Sequence, residues 1–411
     1  MRFLFEHFTT SDYSTIFSWG LFLFILIGSL NLRYVETNTN KYLRTDRNLL
    51  IIFVVFIIFL FGTRGFKIGT DTYNYRVFYF NPGIRISNVY EFFSFFETDI
   101  LFEILIYFAF MFKDFTVFLV IVATIMNAML YVFVRKYTNY GRNGSSLLLF
   151  LLIACNFVFF THQTNTIRNG LAIPYIFFGI YYLMIKKTNY TLLFFLLAFL
   201  SHRTAIIPIA CVFFAIKSKN IDLKYFIALY ALGILAAAAG FGFDKLTFLA
   251  SMGGDDLERL SSVGETTYRV GFRPDFVLYN TIFLVLAIKF SPKKSPQDLF
   301  YLKYYILASI IFFFNFNIPY SDRIGGYSWI AIPLLFFSII NSSFPKKKLQ
   351  MATLFTFFIF FLNFVLLPLL TSGLSLKKRD FTNNYQYEIK QEFKELNFKH
   401  NTHSSVLTFK I

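Results

Sequence analysis

Residues 61–80, FGTRGFKIGTDTYNYRVFYF, place Arg64, Lys67, Asp71 and Arg76 among three glycines and several tyrosines, directly after an apolar run. Acid and base alternating in a short, turn-rich stretch suit the holding of a polar ligand better than the single charges that anchor helices. Three other stretches repeat the theme beside apolar runs: Arg168 in THQTNTIRNGLA, His202 with Arg203 in LSHRTAI, and Asp322 with Arg323 in PYSDRIGGY. An ionisable residue next to hydrocarbon is costly and normally faces the protein interior or a wet cavity. Guanidinium groups bind phosphate oxygens bidentately and stay charged in any surroundings. Arg64, Arg168 and Arg323 converging on one cavity would therefore suit a phosphate-bearing ligand, above all a departing diphosphate. Asp71 and His202 are the groups able to take a proton from an attacking hydroxyl, with Asp71 ranked slightly first. Tyr75, Glu103, Arg203 and Asp322 are candidate sugar or supporting contacts.

Each of these residues has a plainer use. A lone arginine at the end of a membrane span is usually an anchor, and Arg203 beside His202 is read that way. Arg168 differs, because a basic residue at a helix start opposes the helix dipole and gives structure little benefit there. Asp322 and Arg323 could form a local ion pair, and Asp71 could cap a turn. His202 could bond a backbone carbonyl freed by a helix break. In GGDDLERL, the carboxylates Asp255, Asp256 and Glu258 read as a solvated acidic turn rather than a metal site. The tyrosines could stack on sugar rings, although interfacial aromatic belts account for much of their number.

The elements that must position these residues follow from composition. Of 411 residues, 56% are hydrophobic and 15% charged, with 61 Phe and 26 Tyr. A soluble domain has about a quarter of its residues charged, so the chain reads as an all-α polytopic membrane protein. The net charge of +16 is spread in short clusters between apolar runs. That is the pattern of topology determinants and anionic-lipid contacts, not of nucleic-acid binding. Cys155 and Cys211 lie inside apolar runs without metal-ligand spacing, so no metal or cofactor is expected. The first apolar run lacks the flanking features of a cleavable signal peptide.

Taking about 20 apolar residues per crossing, ten spans are expected, at 15–32, 48–63, 115–134, 146–161, 166–185, 225–241, 276–290, 299–316, 324–340 and 351–370. The run 101–112 is too short, and counting it as a crossing would put RKYTNYGR outside. It is expected to be an interfacial helix with Glu103 near its start, where the dipole favours an anion. The run 191–216, split at Ser201–His202–Arg203 and flanked by lysines at both ends, reads as a hairpin tipped by His202 and Arg203. Its arms either cross fully, making twelve spans, or form a re-entrant loop. With these choices, loops 33–47, 135–144, 186–189, 217–224, 289–298 and 342–349 are cytoplasmic and carry eighteen basic residues against four acidic ones. The long loops 64–100 and 242–275, the charged motifs and both termini would then lie outside. Residues 1–370 are expected to form a single membrane domain, followed by a basic tail, 371–411, able to lie on the membrane surface.

An arginine followed by GTD-x-x-x-Y after the second span, an interfacial helix with a glutamate, an IR-x-GLA segment, an H-x-(S/T)-A break and a late arginine together resemble the EpsG-like family of Wzy-type polysaccharide polymerases. The matching residues are Arg64, Gly69, Asp71, Tyr75, Glu103, Arg168, Leu171, Ala172, His202, Ala205 and Arg323, in order over about residues 50 to 330. Asn169 departs from the pattern, where glutamine is frequent, and Arg203 and Thr204 replace blander neighbours of the histidine. The resemblance implies a metal-independent glycosyltransferase of the bacterial cytoplasmic membrane, making O-antigen, capsule or exopolysaccharide on the outer face. A growing glycan on undecaprenyl diphosphate would be the donor and a lipid-linked repeat unit the acceptor. A flippase and a chain-length regulator are the expected protein partners.

Two other functions compete. A transporter or flippase for the same lipid-linked sugars would carry charges through the membrane midplane and often an internal repeat. Here the charges crowd one end of the spans and no repeat is visible. A ligase, or another lipid-sugar-dependent glycosyltransferase, would have a similar architecture, and sequence separates it poorly from a polymerase.

Overall fold

The structure is a computed structural model that describes residues 8–32, 34, 39–65, 68–80, 99–140, 144–242, 271–291, 295–317, 321–344 and 347–368. All regular elements among the described residues are helical. A chain this apolar satisfies its backbone within each segment, which in lipid only helices and closed barrels achieve. The helices are α1 Thr10–Asn31, α2 Thr39–Gly62, α3 Thr70–Asn74, α4 Ile100–Met111, α5 Phe115–Tyr140, α6 Ser146–Ala154, α7 Phe157–Thr164 and α8 Ile167–Met184. They continue as α9 Thr188–Ser201, α10 Ile206–Lys217, α11 Leu223–Ala238, α12 Pro274–Phe290, α13 Pro296–Phe314, α14 Ser321–Trp329, α15 Ala331–Ser343 and α16 Lys348–Phe361. Residues 1–360 form one compact unit. In the second, residues 361–411, the described part holds a π-helical turn at Leu362–Leu366. The basic tail 371–411 lies outside the described residues.

Among the described residues, six helical stretches are long and apolar enough to cross a membrane, and a seventh if α6 and α7, bent by 75°, count as one span. Length and apolarity thus support six or seven of the ten expected crossings. Helices α11 and α12 have 16 and 17 residues, short of a relaxed crossing. Helix α8 has 18 residues but carries Arg168, Asn169 and three tyrosines. The run 146–161 breaks because Asn156 leaves the helix, accepts from the Val158 amide to cap α7, and donates to the Trp329 carbonyl at 2.6 Å. Large apolar side chains such as Trp19, Ile52, Val55, Phe214 and Leu235 remain exposed on the flanks, as a lipid-facing surface requires.

The described helix ends that adjoin the lysine- and arginine-rich loops gather at one end of the bundle. Asp46 at the start of α2 accepts from Ser145 and from the Ser146 amide at the start of α6. Tyr137, late in α5, bonds Tyr301 and Gln297 of α13 at 2.9 and 2.8 Å. Lys303 donates to the carbonyls of Ser218, Lys219 and Ile221 just past α10. Asp298 accepts from Ser338 and Ser342 of α15. These contacts fix the direction of each helix and send the other ends of α2, α7, α9 and α13 to the opposite face of the bundle.

Helix α4 begins and ends at that opposite face. Phe102 packs on Tyr75 and Phe118, and Phe110 on Phe80, which also meets Phe115 at the start of α5. The expected short helix is thus present and does not run the length of the bundle. The two arms of the expected hairpin, α9 and α10, do run from one end to the other, joined at His202 and the 3₁₀ turn Arg203–Ala205. At 14 and 12 residues they span only about 21 and 18 Å.

Candidate active site

Four local features bring the charged motifs together at the face opposite the basic loops. The first is the GTD turn. Gly69 has φ +87°, and a Cβ there would run into the Thr164 carbonyl, so only glycine lets this strand of chain press against the end of α7. Thr72 then donates to the Thr164 carbonyl at 2.7 Å, which sets Asp71 beside the start of α8. The second is the start of α8. Its N-cap Thr166 makes no capping bond and instead pairs with His162 at 2.7 Å, leaving Arg168 in the first turn without an adjacent acid in sequence.

The third feature is the end of α9, where His202 leaves the helix in an extended conformation, φ −162° and ψ 124°. The fourth is the start of α14, which carries Arg323. Its far end is held by Trp329, packed against Phe157, Phe276 and Phe312 with ring centroids 4.6, 5.0 and 5.1 Å apart. Gly325 is small enough to let Trp329 and Phe312 close under that helix.

The resulting cleft is lined by Asp71, Tyr75, Thr166, Arg168, Asn169, His202 and Arg323. It is narrow, too small to enclose an oligosaccharide. Arg323 Nη2 lies 3.2 Å from Oδ1 and 3.4 Å from Oδ2 of Asp71. Arg168 donates through Nε to the Tyr75 hydroxyl at 3.2 Å and through Nη1 to Asp99 at 3.0 Å. Its guanidinium also lies over the rings of Tyr75 and Phe102, 5.7 and 5.5 Å from their centroids. Tyr75 reaches Asp71 in a long contact of 3.5 Å. A continuous chain of polar contacts thus runs His202–Asp99–Arg168–Tyr75–Asp71–Arg323.

The two guanidiniums and the imidazole are more exposed than the carboxylates they contact. The side chains of Arg168, Arg323 and His202 are 21, 29 and 14% exposed, against 4% for Asp99 and 12% for Asp71. Burial raises the Asp71 carboxyl above its ordinary value, opposed by Arg323 and Arg168. Burial also pushes Asp99 up, but His202, Arg168 and the Arg203 amide together hold it below the usual carboxylate range. His202 is lowered, chiefly by burial and further by the two arginines, with Asp99 opposing. Its ring is therefore neutral at pH 7, its Nδ1–H donates to Asp99 at 2.9 Å, and its Nε2 lone pair is left as the basic one.

Five of the sequence-predicted residues meet here: Asp71, Tyr75, Arg168, His202 and Arg323. Arg64 does not line the cleft. It is 4% exposed and lies behind it, donating to the Phe61 carbonyl and, at 3.2 Å, to Thr72. Glu103 is buried in the first turn of α4, outside the lining. Arg203 has an exposed side chain, and its backbone N–H donates to Asp99 at 3.0 Å. The Asp322 side chain, Lys67 and the acidic stretch GGDDLERL lie outside the described residues.

Sequence reasoning missed Asp99. It stands at the N-cap of α4, where an aspartate ordinarily bonds its own helix. Here it makes no such bond and turns to three groups brought from α8 and the α9–α10 connection. The usable signal was an acid one residue before an apolar helix, at the end of a loop that carries the other charges.

Comparisons with curated proteins and with solved structures find no match. The EpsG family matches residues 47–387, a range that contains every residue of the cleft. The chain therefore belongs to the EpsG family, which marks it as a membrane protein of polysaccharide biosynthesis.

Proposed function

We propose that this chain is a polysaccharide polymerase of the bacterial cytoplasmic membrane. It transfers a growing glycan from undecaprenyl diphosphate to a lipid-linked repeat unit on the outer face. The observation that carries the reading is the meeting of Arg168 and Arg323 with His202 in one cleft, at the end of the bundle away from the basic loops. Basic loops mark the cytoplasmic side, which turns the cleft outward. A flippase and a chain-length regulator remain the expected protein partners.

In this mechanism the acceptor hydroxyl attacks the anomeric carbon of the donor. A carbon–oxygen bond forms there as the bond to the diphosphate oxygen breaks. Arg168 and Arg323 stabilise the charge that develops on the leaving diphosphate. Both guanidiniums are partly exposed and already aimed by carboxylates, Asp99 and Asp71, so little reorganisation precedes the reaction. The acceptor proton goes to Nε2 of His202, whose tautomer is set by Asp99. Asp71, engaged by Arg323 and Tyr75, serves as the clamp of Arg323, which reverses the order in which the two bases were ranked from sequence. Arg64 braces the turn that carries Asp71 through Thr72.

The test is turnover of purified lipid-linked repeat unit by the purified protein in detergent or vesicles, with the product chains resolved by length. A ladder of multiple repeats supports the polymerase. Transfer of preformed long chains to another acceptor, with no ladder formed from single units, would identify a ligase instead.

A further inference from the structure

The side chain of Asn169, next to Arg168, has a role that the reaction above leaves unassigned. It is 1% exposed and joins three of the four segments that carry the cleft. Its own helix, α8, carries Arg168. Its Nδ2 donates to the backbone carbonyl of Arg323 at 3.0 Å. Its Oδ1 accepts from the hydroxyl of Tyr327, one turn further along α14, and lies 3.3 Å from the hydroxyl of Thr204, two residues after His202. Thr204 and Tyr327 are themselves 2.7 Å apart.

Proton counting fixes the arrangement. A carbonyl cannot donate, so the amide nitrogen must face Arg323 and the amide oxygen must face the two hydroxyls. Tyr327 gives its proton to Asn169 Oδ1, and the Thr204 hydroxyl is placed to donate to that same oxygen or to the Tyr327 oxygen. Each polar atom of the amide is then engaged by protein, although the residue borders the cleft. Buried networks of this kind, fully satisfied, hold a single geometry.

We propose that Asn169, with Thr204 and Tyr327, is a positioning clamp that sets the distance between the base His202 and the diphosphate-binding arginines. The proposal rests on the glycosyl-transfer reading of the cleft. The clamp touches neither the guanidinium groups nor the imidazole, so losing it removes no charged group from the cleft and changes only the spacing between them. What changes is the alignment of the attacking hydroxyl against the leaving group. A misplacement of about 1 Å at such a site costs on the order of 100-fold in rate.

The test uses the full-length protein reconstituted in vesicles, with Tyr327→Phe, Thr204→Val and Asn169→Asp. Asn169→Asp keeps the shape but sets an oxygen against the Arg323 carbonyl. Elongation kinetics and calorimetric binding of inorganic pyrophosphate are measured alongside thermal stability. Tyr327→Phe, the mildest change, is expected to lower kcat tenfold or more, about 1.4 kcal/mol, with KM and thermal stability nearly unchanged. Asn169→Asp should lower kcat further and also weaken pyrophosphate binding, because it displaces Arg323 from Arg168. Thr204→Ser, which keeps the hydroxyl, should restore what Thr204→Val loses. Unchanged kcat in Tyr327→Phe and Asn169→Asp would overturn the clamp, as would a loss of rate matched by a loss of stability. If the unaltered protein binds pyrophosphate but elongates nothing, the polymerase reading fails, and weaker pyrophosphate binding in Asn169→Asp still supports the clamp. If the unaltered protein neither elongates nor binds pyrophosphate, both fall.

Discussion

Oδ2 of Asp99 receives the Nδ1 proton of His202 at 2.9 Å and, from the other side, Arg168 at 3.0 Å. One carboxylate thereby orients both the group that takes the proton and a cation that holds the leaving group. It is 4% exposed, so neither partner is displaced by water.

Asp99→Asn is expected to cut turnover by about 100-fold, the usual worth of a correctly oriented base, while the protein still inserts and folds. The sign of the pH effect follows from the charges at His202. Asp99 raises the basicity of that ring against the lowering effect of burial and of the two arginines. Neutralising Asp99 moves the His202 pKa down further. Activity needs the neutral ring, which exists above its pKa, so the acid limb of kcat/KM shifts to lower pH as the plateau falls. A plateau equal to that of the unaltered protein would remove Asp99 from the mechanism.

Arg168→Lys is expected to fail almost as completely as Arg168→Ala. Arg168 uses Nε on Tyr75 and Nη1 on Asp99 and lies over two aromatic rings. A lysine is a point charge without the planar fork and cannot hold these contacts together with a diphosphate. Cells carrying either variant should accumulate single lipid-linked repeat units and lose the ladder of longer chains. Normal chain lengths with lysine would show that only charge matters at this position.

Which parts of this site are legible in the sequence depends on how local their cause is. Arg168 announces itself, because a cation at a helix start works against the dipole. The break at His202 is visible as a polar interruption between two apolar runs. The gathering of the basic loops at one end follows from charge and apolar length alone. Asp99 is hidden, because an aspartate before a helix has an ordinary local explanation. Arg64 misleads for the opposite reason. Its neighbours in sequence resemble a ligand-binding turn, and only the packing of Gly69 on Thr164 turns its side chain inward. Asn169 and Thr204, two of the three departures from the family pattern, meet in space. Their positions in sequence, 169 and 204, give no sign of it.

Arg64→Met is expected to act on folding and not on chemistry. The substitution keeps most of the side-chain volume but removes the donors to the Phe61 carbonyl and to Thr72, both buried. A lost hydrogen bond of this kind costs about 1–3 kcal/mol. Thermal stability should fall, and less protein should be recovered from the membrane. Turnover per folded molecule should be close to that of the unaltered protein. A collapse of turnover in protein of undiminished stability would return Arg64 to the leaving-group role suggested by sequence.

Asp71→Asn separates the two candidate bases. If Asp71 took the acceptor proton, the amide would abolish turnover, since it has no basic site at working pH. With His202 as the base, Asp71 only aims Arg323, and the amide oxygen can still accept one of its hydrogen bonds. Turnover should then fall roughly tenfold, the effect of a weakened orienting contact, with the pH profile still governed by His202. Stability carries an independent signature. Burial raises the Asp71 carboxyl above its unfolded value, so the folded state binds this proton more tightly. The corresponding stabilisation is complete below the unfolded pKa and is lost as pH rises through the folded one. Asp71→Asn has no proton to lose, and its stability should stay flatter than that of the unaltered protein as pH rises from the acid range towards neutrality. Total loss of elongation in Asp71→Asn, with His202→Gln retaining substantial activity, would reverse the assignment of base and clamp.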